Sequence, residues 1–215
     1  KFGSALDFDA ADDNISVTSS SSISFNGASQ ITLTAWIKPD SLGENSLGRV
    51  LDKRAATNGY LIYMNSVDEI EFGIDTATGD IRDEVTTTSP FSSFGAWKHF
   101  TATYDGSDIK IYIDGVEQTT SVATAGTGTI VDDGNALILG NRAAGDRTFD
   151  GVIDEIKIYN YIRTPGQIIE DMNAGHPAPG SPVGSAVAHW KFDEGYGTTA
   201  NDSSNNSNSL TLSSA

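Results

Sequence analysis

Asp154 draws attention first. It lies in the alternating stretch VIDEIKIY, on the face shared by Val152, Ile156 and Ile158. A carboxylate on an apolar face needs a cation or several hydrogen-bond donors to offset its desolvation. A second candidate is DSSNNSN, where Asp202, Ser204 and Asn206 recur at every second residue. That spacing can turn side-chain oxygens around a hard cation such as Ca2+. It can equally build an Asx-turn loop, with Asp154 satisfied by hydrogen bonds instead. Asp7, Asp9, Asp12, Asp13 and the Asp132-Asp133 pair read more simply as a solvated face, with Asp12 and Asp13 a candidate for a second cation. The three histidines, His99, His176 and His189, are scattered, and no serine elbow, His-rich metal spacing or Gly-rich phosphate loop accompanies them.

Composition narrows the partners. The chain has 215 residues, 29 acidic against 13 basic, and a formal charge of −16. A phosphate backbone or an anionic membrane surface would be repelled, so neither nucleic acid nor membrane docking is expected. No apolar run approaches the ~18 residues of a membrane span. With no cysteine, disulfide scaffolds, thiolate metal sites and cysteine nucleophiles are all excluded. Abundant serine and threonine with little lysine suggests an extracellular, bacterial protein. No signal sequence precedes Lys1 and no initiator methionine opens the chain, which we read as a processed or excised piece.

The elements that must position these residues are short strands. In ITLTAWIKP, Ile31, Leu33, Ala35 and Ile37 share one face and Thr32, Thr34 and Trp36 the other. DEIEFGID sets Ile70, Phe72 and Ile74 against Glu69 and Glu71, and SDIKIYIDG sets Ile109, Ile111 and Ile113 against Lys110 and Tyr112. ALDFD, NISV, GRVLDK, YLIYM, WKHFTATYD, NALILG and VIDEIKIY add further strands. Turn signals such as Asn26-Gly27, Asn58-Gly59, Thr78-Gly79 and Asp114-Gly115 separate them. The pattern predicts an all-β sandwich or barrel. One short helix is expected after Thr164-Pro165, with Ile168, Ile169 and Met172 on its packing side. Residues 175–186 (GHPAPGSPVGSA) read as a linker between a main body, residues 1–174, and a tail, residues 187–215. Ala188, Trp190 and Phe192 form one tail patch and Leu210 and Leu212 a second. Two strands hold no core alone, so the tail must dock.

The stretches FGSALDFDAADDNISV, ITLTAWIKP, GAWKHFTATYDGSDIKIYIDGV, ALILGN and FDGVIDEIKIYNYIRT, in this order, resemble the laminin G-like, concanavalin A-like jelly-roll domains common in bacterial secreted proteins. The resemblance covers nearly all of residues 1–174 and implies a two-sheet antiparallel jelly roll of about a dozen strands. In that family a domain usually opens with a segment resembling VAHWKFDEGYGTTANDSSNNSNSLTL, which here follows the linker. The tail is therefore expected to complete its own sandwich, as a circular permutant would, or that of a neighbouring copy. A dozen linker residues span at most ~40 Å, which permits either.

The resemblance also implies chemistry. An aspartate in a strand like that of Asp154 often binds structural calcium with groups of the opening segment, here Asp193 and Glu194 and then Asp202, Ser204 and Asn206. Related folds include glycoside hydrolases, and Glu69 and Glu71 share a strand face suited to paired carboxylates. The glycosidase pattern Glu-x-Asp-x-x-Glu is absent, so no enzyme is expected. Jelly rolls of this class often bind glycans, for which Trp36, Trp97, Tyr104, Tyr112 and Tyr63 are the candidate stacking surfaces. The leading expectation is a non-catalytic structural or adhesive unit that joins copies of itself head to tail through residues 187–215. A calcium-supported carbohydrate-binding module is the alternative.

Overall fold

Ile31, Leu33, Ala35 and Ile37 all join the central core, whereas Thr32, Thr34 and Trp36 are buried on the opposite face, so the alternation read in that stretch is the alternation of the core. The computed structural model describes residues 3–54, 58–77, 83–87, 94–122, 127–173, 186–195 and 197–213. Two antiparallel sheets face each other. The seven-stranded sheet runs, in spatial order, β1 (Leu6–Asp9), β13 (Asp150–Tyr159), β3 (Ile31–Pro39), β8 (Lys98–Tyr104), β9 (Ile109–Ile113) and β10 (Val116–Glu117), with β14 (Ala188–Trp190) also on β13. The nine-stranded sheet runs β11 (Thr120–Val122), β7 (Asp83–Thr87), β6 (Ile70–Ile74), β5 (Tyr60–Met64), β4 (Arg49–Asp52), β12 (Leu137–Leu139), β2 (Asn14–Val17), β16 (Leu210–Ser213) and β15 (Thr199–Ala200). The all-β jelly-roll sandwich is thus present, with more and shorter strands than the dozen expected. Asp114 and Gly115, both at positive φ, make the tight turn between β9 and β10. The expected turn at Thr78-Gly79 and residues 175–185 of the linker lie outside the described residues. Among the described residues no helix is long and apolar enough to cross a membrane.

The helix α1 (Pro165–Met172) begins as the sequence indicates. Thr164 accepts from the Gln167 amide, and the Gln167 side chain accepts from Thr164 N–H, a reciprocal capping box. Its buried face differs from the expected one. Ile168 is buried, but Ile169 is nearly half exposed, and Asp171 takes the inward position. The reason is charge pairing: Arg163 Nε donates to Asp171 at 2.8 Å and the Tyr159 hydroxyl donates to it at 2.7 Å.

The tail enters both sheets of its own chain. In β14, Ala188, His189 and Trp190 pair with Ile158, Lys157 and Ile156 of β13. In β16, Thr211, Leu212 and Ser213 pair with Ser16, Ile15 and Asn14 of β2. Ala188, Trp190, Phe192, Ala200 and Leu210 join the central core, and Leu212 packs at its margin. β1 and β14 lie end to end along one edge of β13, β1 on Asp150 to Ile153 and β14 on Ile156 to Ile158. Between them β13 is bulged at Asp154 to Lys157, with Glu155 at φ 50.

That bulge corrects the placement of Asp154. Ile153 sits opposite Ile37 and Ile158 opposite Leu33, both core-facing, while Asp154 sits opposite Trp36 on the outer face. One inserted residue shifts the alternation, so Asp154 does not share a face with Ile156 and Ile158.

Candidate functional site

The outer face of the nine-stranded sheet carries a row of polar and aromatic side chains from three adjacent strands. Arg49 of β4 is the cross-strand partner of Tyr63 of β5, which is in turn the partner of Glu71 of β6. The Arg49 guanidinium lies 4.0 Å from the centre of the Tyr63 ring, a cation–π contact, and its Nε is 3.3 Å from Asp52. The Tyr63 hydroxyl donates to Glu71 Oε2 at 2.5 Å. The turn after β5 brings Asn65 onto this row: Nδ2 donates to Glu71 Oε1 at 2.7 Å and to Glu69 Oε2 at 2.9 Å. Asn65 Oδ1 accepts the Val67 and Glu69 amides, and the turn carries Asp68 at φ 63. Tyr63, Arg49 and Glu71 are buried, whereas Asn65 and Glu69 are half-buried and reachable. An amide, two carboxylates, a phenol and a guanidinium converge here, a set able to exchange hydrogen bonds with a polyhydroxylated ligand.

The loop DSSNNSN adopts the turn alternative. Asp202 Oδ1 accepts the His189 and Ser204 amides at 2.9 and 2.8 Å. Its Oδ2 accepts Ser204 Oγ, the Asn208 amide and Asn208 Nδ2 at 2.8, 2.8 and 3.0 Å. Burial pushes the Asp202 carboxyl up, but the amides of His189, Asn208 and Ser204 outweigh it and hold the group below its usual value. Asn206 Nδ2 donates to the Val187 carbonyl at 2.9 Å, and Ser204 Oγ, besides its bond to Asp202, lies 3.1 Å from the same carbonyl. This chemistry does not fit a calcium ligand set, because five protein donors already occupy both oxygens of Asp202. Glu194 Oε1 accepts the Asn201 amide and side chain, and Asp193 lies against Gly3 so closely that a β-carbon there would fall 1.9 Å from its Oδ1. Among the described residues, Asp9, Asp12 and Asp13 form a cluster of three carboxylates near enough to share an ion, and it includes the Asp12 and Asp13 candidate for a second cation.

Asp154 belongs to another network. Its Oδ1 accepts the Glu155 amide at 2.8 Å. The bulge turns Glu155 toward the tail, where Oε2 meets His189 Nε2 at 2.7 Å. Lys157 lies 3.8 Å from both Glu155 and Asp171, which bonds Arg163. Burial raises the Glu155 carboxyl, while His189 and Lys157 lower it further, so the group lies below its usual value. Tail, β13 and α1 are thereby joined by one charge network.

Known proteins match this architecture. The description of the concanavalin A-like lectin/glucanases superfamily, laminin G type, matches residues 9–169. The chain belongs to this superfamily. Mouse pappalysin-1 is 32% identical over 97 residues, which is 43% of the chain and 6% of that protein. A Bacteroides ovatus protein described as carbohydrate binding superposes with a TM-score of 0.71 at 19% identity, covering 98% of this chain and 58% of that one. The binding domain of Paraclostridial Mosquitocidal Protein 1 gives 0.58 at 19% identity, over 75% of this chain and 41% of that one. At such identities the likeness to solved structures concerns the fold. The chain spans less than two thirds of each of these proteins.

Within this laminin G-like sandwich the expected glycan-stacking aromatics are mostly enclosed. Tyr104 faces the core, fully buried, with its hydroxyl on the Gly128 carbonyl, so it presents no surface to a sugar. Trp36 packs edge-to-face on His99 at 5.3 Å, and Tyr112 is buried with its hydroxyl 3.3 Å from Glu117. Trp97, in the loop before β8, is half-buried. Sequence reasoning named Tyr63 and the Glu69/Glu71 pair but missed Arg49 and Asn65. The signal available for Asn65 was its place between two strong strand patterns, at a turn.

Proposed function

We propose that the chain is a non-catalytic, lectin-like carbohydrate-binding module of an extracellular protein, with the Asn65–Glu69–Glu71 corner as its sugar-hydroxyl contact. The observation that carries this reading is the bridging of both carboxylates by Asn65 Nδ2, with Tyr63 on the remaining oxygen of Glu71. Carboxylates engaged in this way orient hydroxyls and are not free to attack a glycosidic carbon. Membership of a superfamily that holds both lectins and glucanases supports binding, as does likeness to a protein described as carbohydrate binding. Laminin G-like domains are typically extracellular. A glycan array followed by an affinity gel at millimolar calcium is expected to retain the chain on at least one glycan without cleaving it. Asn65→Ala is expected to weaken that binding about tenfold, the loss of a hydrogen-bonding pair of groups. Retention on no glycan rejects the reading, and repeating the gel in EDTA tests whether calcium takes part.

A second reading, exchange of residues 187–215 between copies, is favoured by one observation. The tail supplies strands to both sheets and fully buried side chains to the core. A segment of this kind fits a neighbour's sandwich as well as its own, and each donation would leave a further acceptor, so assembly propagates. Native mass measurement over a concentration series decides it: multiples of the chain mass support exchange, and a monomer at every concentration rejects it.

A further inference from the structure

We propose that the cleft where the tail meets the first strand is a docking site for an extended peptide segment bearing an apolar side chain beside a lysine or arginine. The cleft measures about 410 Å³, within the ~300–1,000 Å³ typical of ligand sites. Its floor is apolar and comes from both sheets: Leu6 and Phe192 from one side, Ala200 and Leu212 from the other.

Two features make a strand-like peptide the fitting occupant. The cleft lies between outermost strands, since β1 ends the path of the seven-stranded sheet and β15 ends the nine-stranded one. Outermost strands present backbone groups that template a further extended segment. A sugar fits less well, because Phe192 is buried and offers no open ring face for stacking.

Charge selects the side chain. Glu194 lines the cleft, and Asn201 takes only its Oε1, so among the described residues Oε2 is left for a ligand. No lysine or arginine among the described residues lines the cleft, and Asp7 and Asp9 are exposed on β1. With a chain charge of −16, an acidic segment is repelled where a basic one is attracted. A lysine stem can cover the apolar floor while its ammonium reaches Glu194. Because both tail and body form the walls, an occupant also fastens one to the other.

The full chain is titrated with an N-acetylated, C-amidated Thr-Val-Lys-Val-Thr peptide and its Glu-for-Lys counterpart, by calorimetry and amide NMR. The lysine peptide is expected to bind in the sub-millimolar range, to shift the amides of Leu6, Thr199 and Leu212, and to raise Tm. The glutamate peptide is expected to bind about tenfold more weakly. Glu194→Gln is expected to reduce lysine-peptide affinity about fivefold with Tm unchanged, and Ala5→Phe, which fills the cleft, to abolish it. Equal affinity of the two peptides, shifts confined to other strands, or no binding at millimolar peptide each overturn the proposal. None of these outcomes bears on glycan retention at Asn65, which follows β5 and is separated from β16 and β15 by β4, β12 and β2.

Discussion

Trp190→Ala is expected to lower Tm by about 10 °C or more, and removal of residues 187–215 to abolish the cooperative transition altogether. Trp190 is fully buried, and its Nε1 donates to the Asn208 carbonyl at 2.7 Å. Truncating a buried Trp to Ala costs about 3–5 kcal/mol, here with an added cost for the orphaned carbonyl. Against a typical stability of about 5–15 kcal/mol that is a large share, and at about 2–4 °C per kcal/mol it gives the stated shift. Complete removal takes away Ala188, Phe192, Ala200 and Leu210 as well, and leaves β2 and half of β13 without edge partners. Thermal unfolding followed by circular dichroism reads both variants. A truncated chain that melts like the full one shows that the tail is an accessory to the sandwich and not part of it.

Acidification from about pH 6.5 towards 4 is expected to destabilise the protein, and His99→Gln to flatten most of that slope. His99 is fully buried beside Trp36. Burial, reinforced by the ammonium of Lys157 and opposed by Asp114, pushes its pKa down to about 3. The folded protein therefore keeps the ring neutral where an unfolded chain, with a pKa near 6.5, binds a proton. Stability from this group is complete above about pH 6.5 and falls as pH approaches the folded value, at about 1.4 kcal/mol per unit, up to about 4–5 kcal/mol. The carboxylates act in a different window. Asp202 and Glu155 lie below their ordinary values, so their contributions are present above those values and are lost only as pH falls further. Urea unfolding at half-unit pH steps separates the two ranges. A slope unchanged in His99→Gln between pH 6.5 and 4.5 would assign it to other groups.

Much of the sandwich was legible because the apolar residues of its strands recur with the period that faces the central core. In β3 every second residue faces the core, and its register against β8 and β13 preserves that order. The reading failed where one residue breaks the period. Glu155 in the left-handed region moves Asp154 to the outer face, and nothing in VIDEIKIY announces a bulge. It failed likewise at Asp171, where helical spacing favoured Ile169 but Arg163, eight positions earlier, supplies a charge worth burying. The strands β7, β10, β11 and β15 are too short or too polar to alternate visibly. The candidate site was half legible. Glu69 and Glu71 stood out as a pair, whereas Arg49 becomes relevant only once β4 is laid beside β5 in register. Asp202 shows the converse: its spacing with Ser204 and Asn206 suited a cation, and three-dimensional closure supplied donors from His189 and Asn208 instead.

The end-to-end arrangement of β1 and β14 along β13 has a consequence for how the protein is made. Synthesis runs from the N-terminus, so β1 can pair with β13 as soon as residue 159 has emerged, but the adjoining stretch Ile156 to Ile158 must wait for β14. Pairings such as Asn14 with Ser213 close nearly the whole chain length, and long-range closures of this kind are the slow ones. During that interval the nascent sandwich presents an uncapped, apolar seam to its surroundings. The tail strands are thus the ones that end this vulnerability, and slow translation through the segment before them would prolong it.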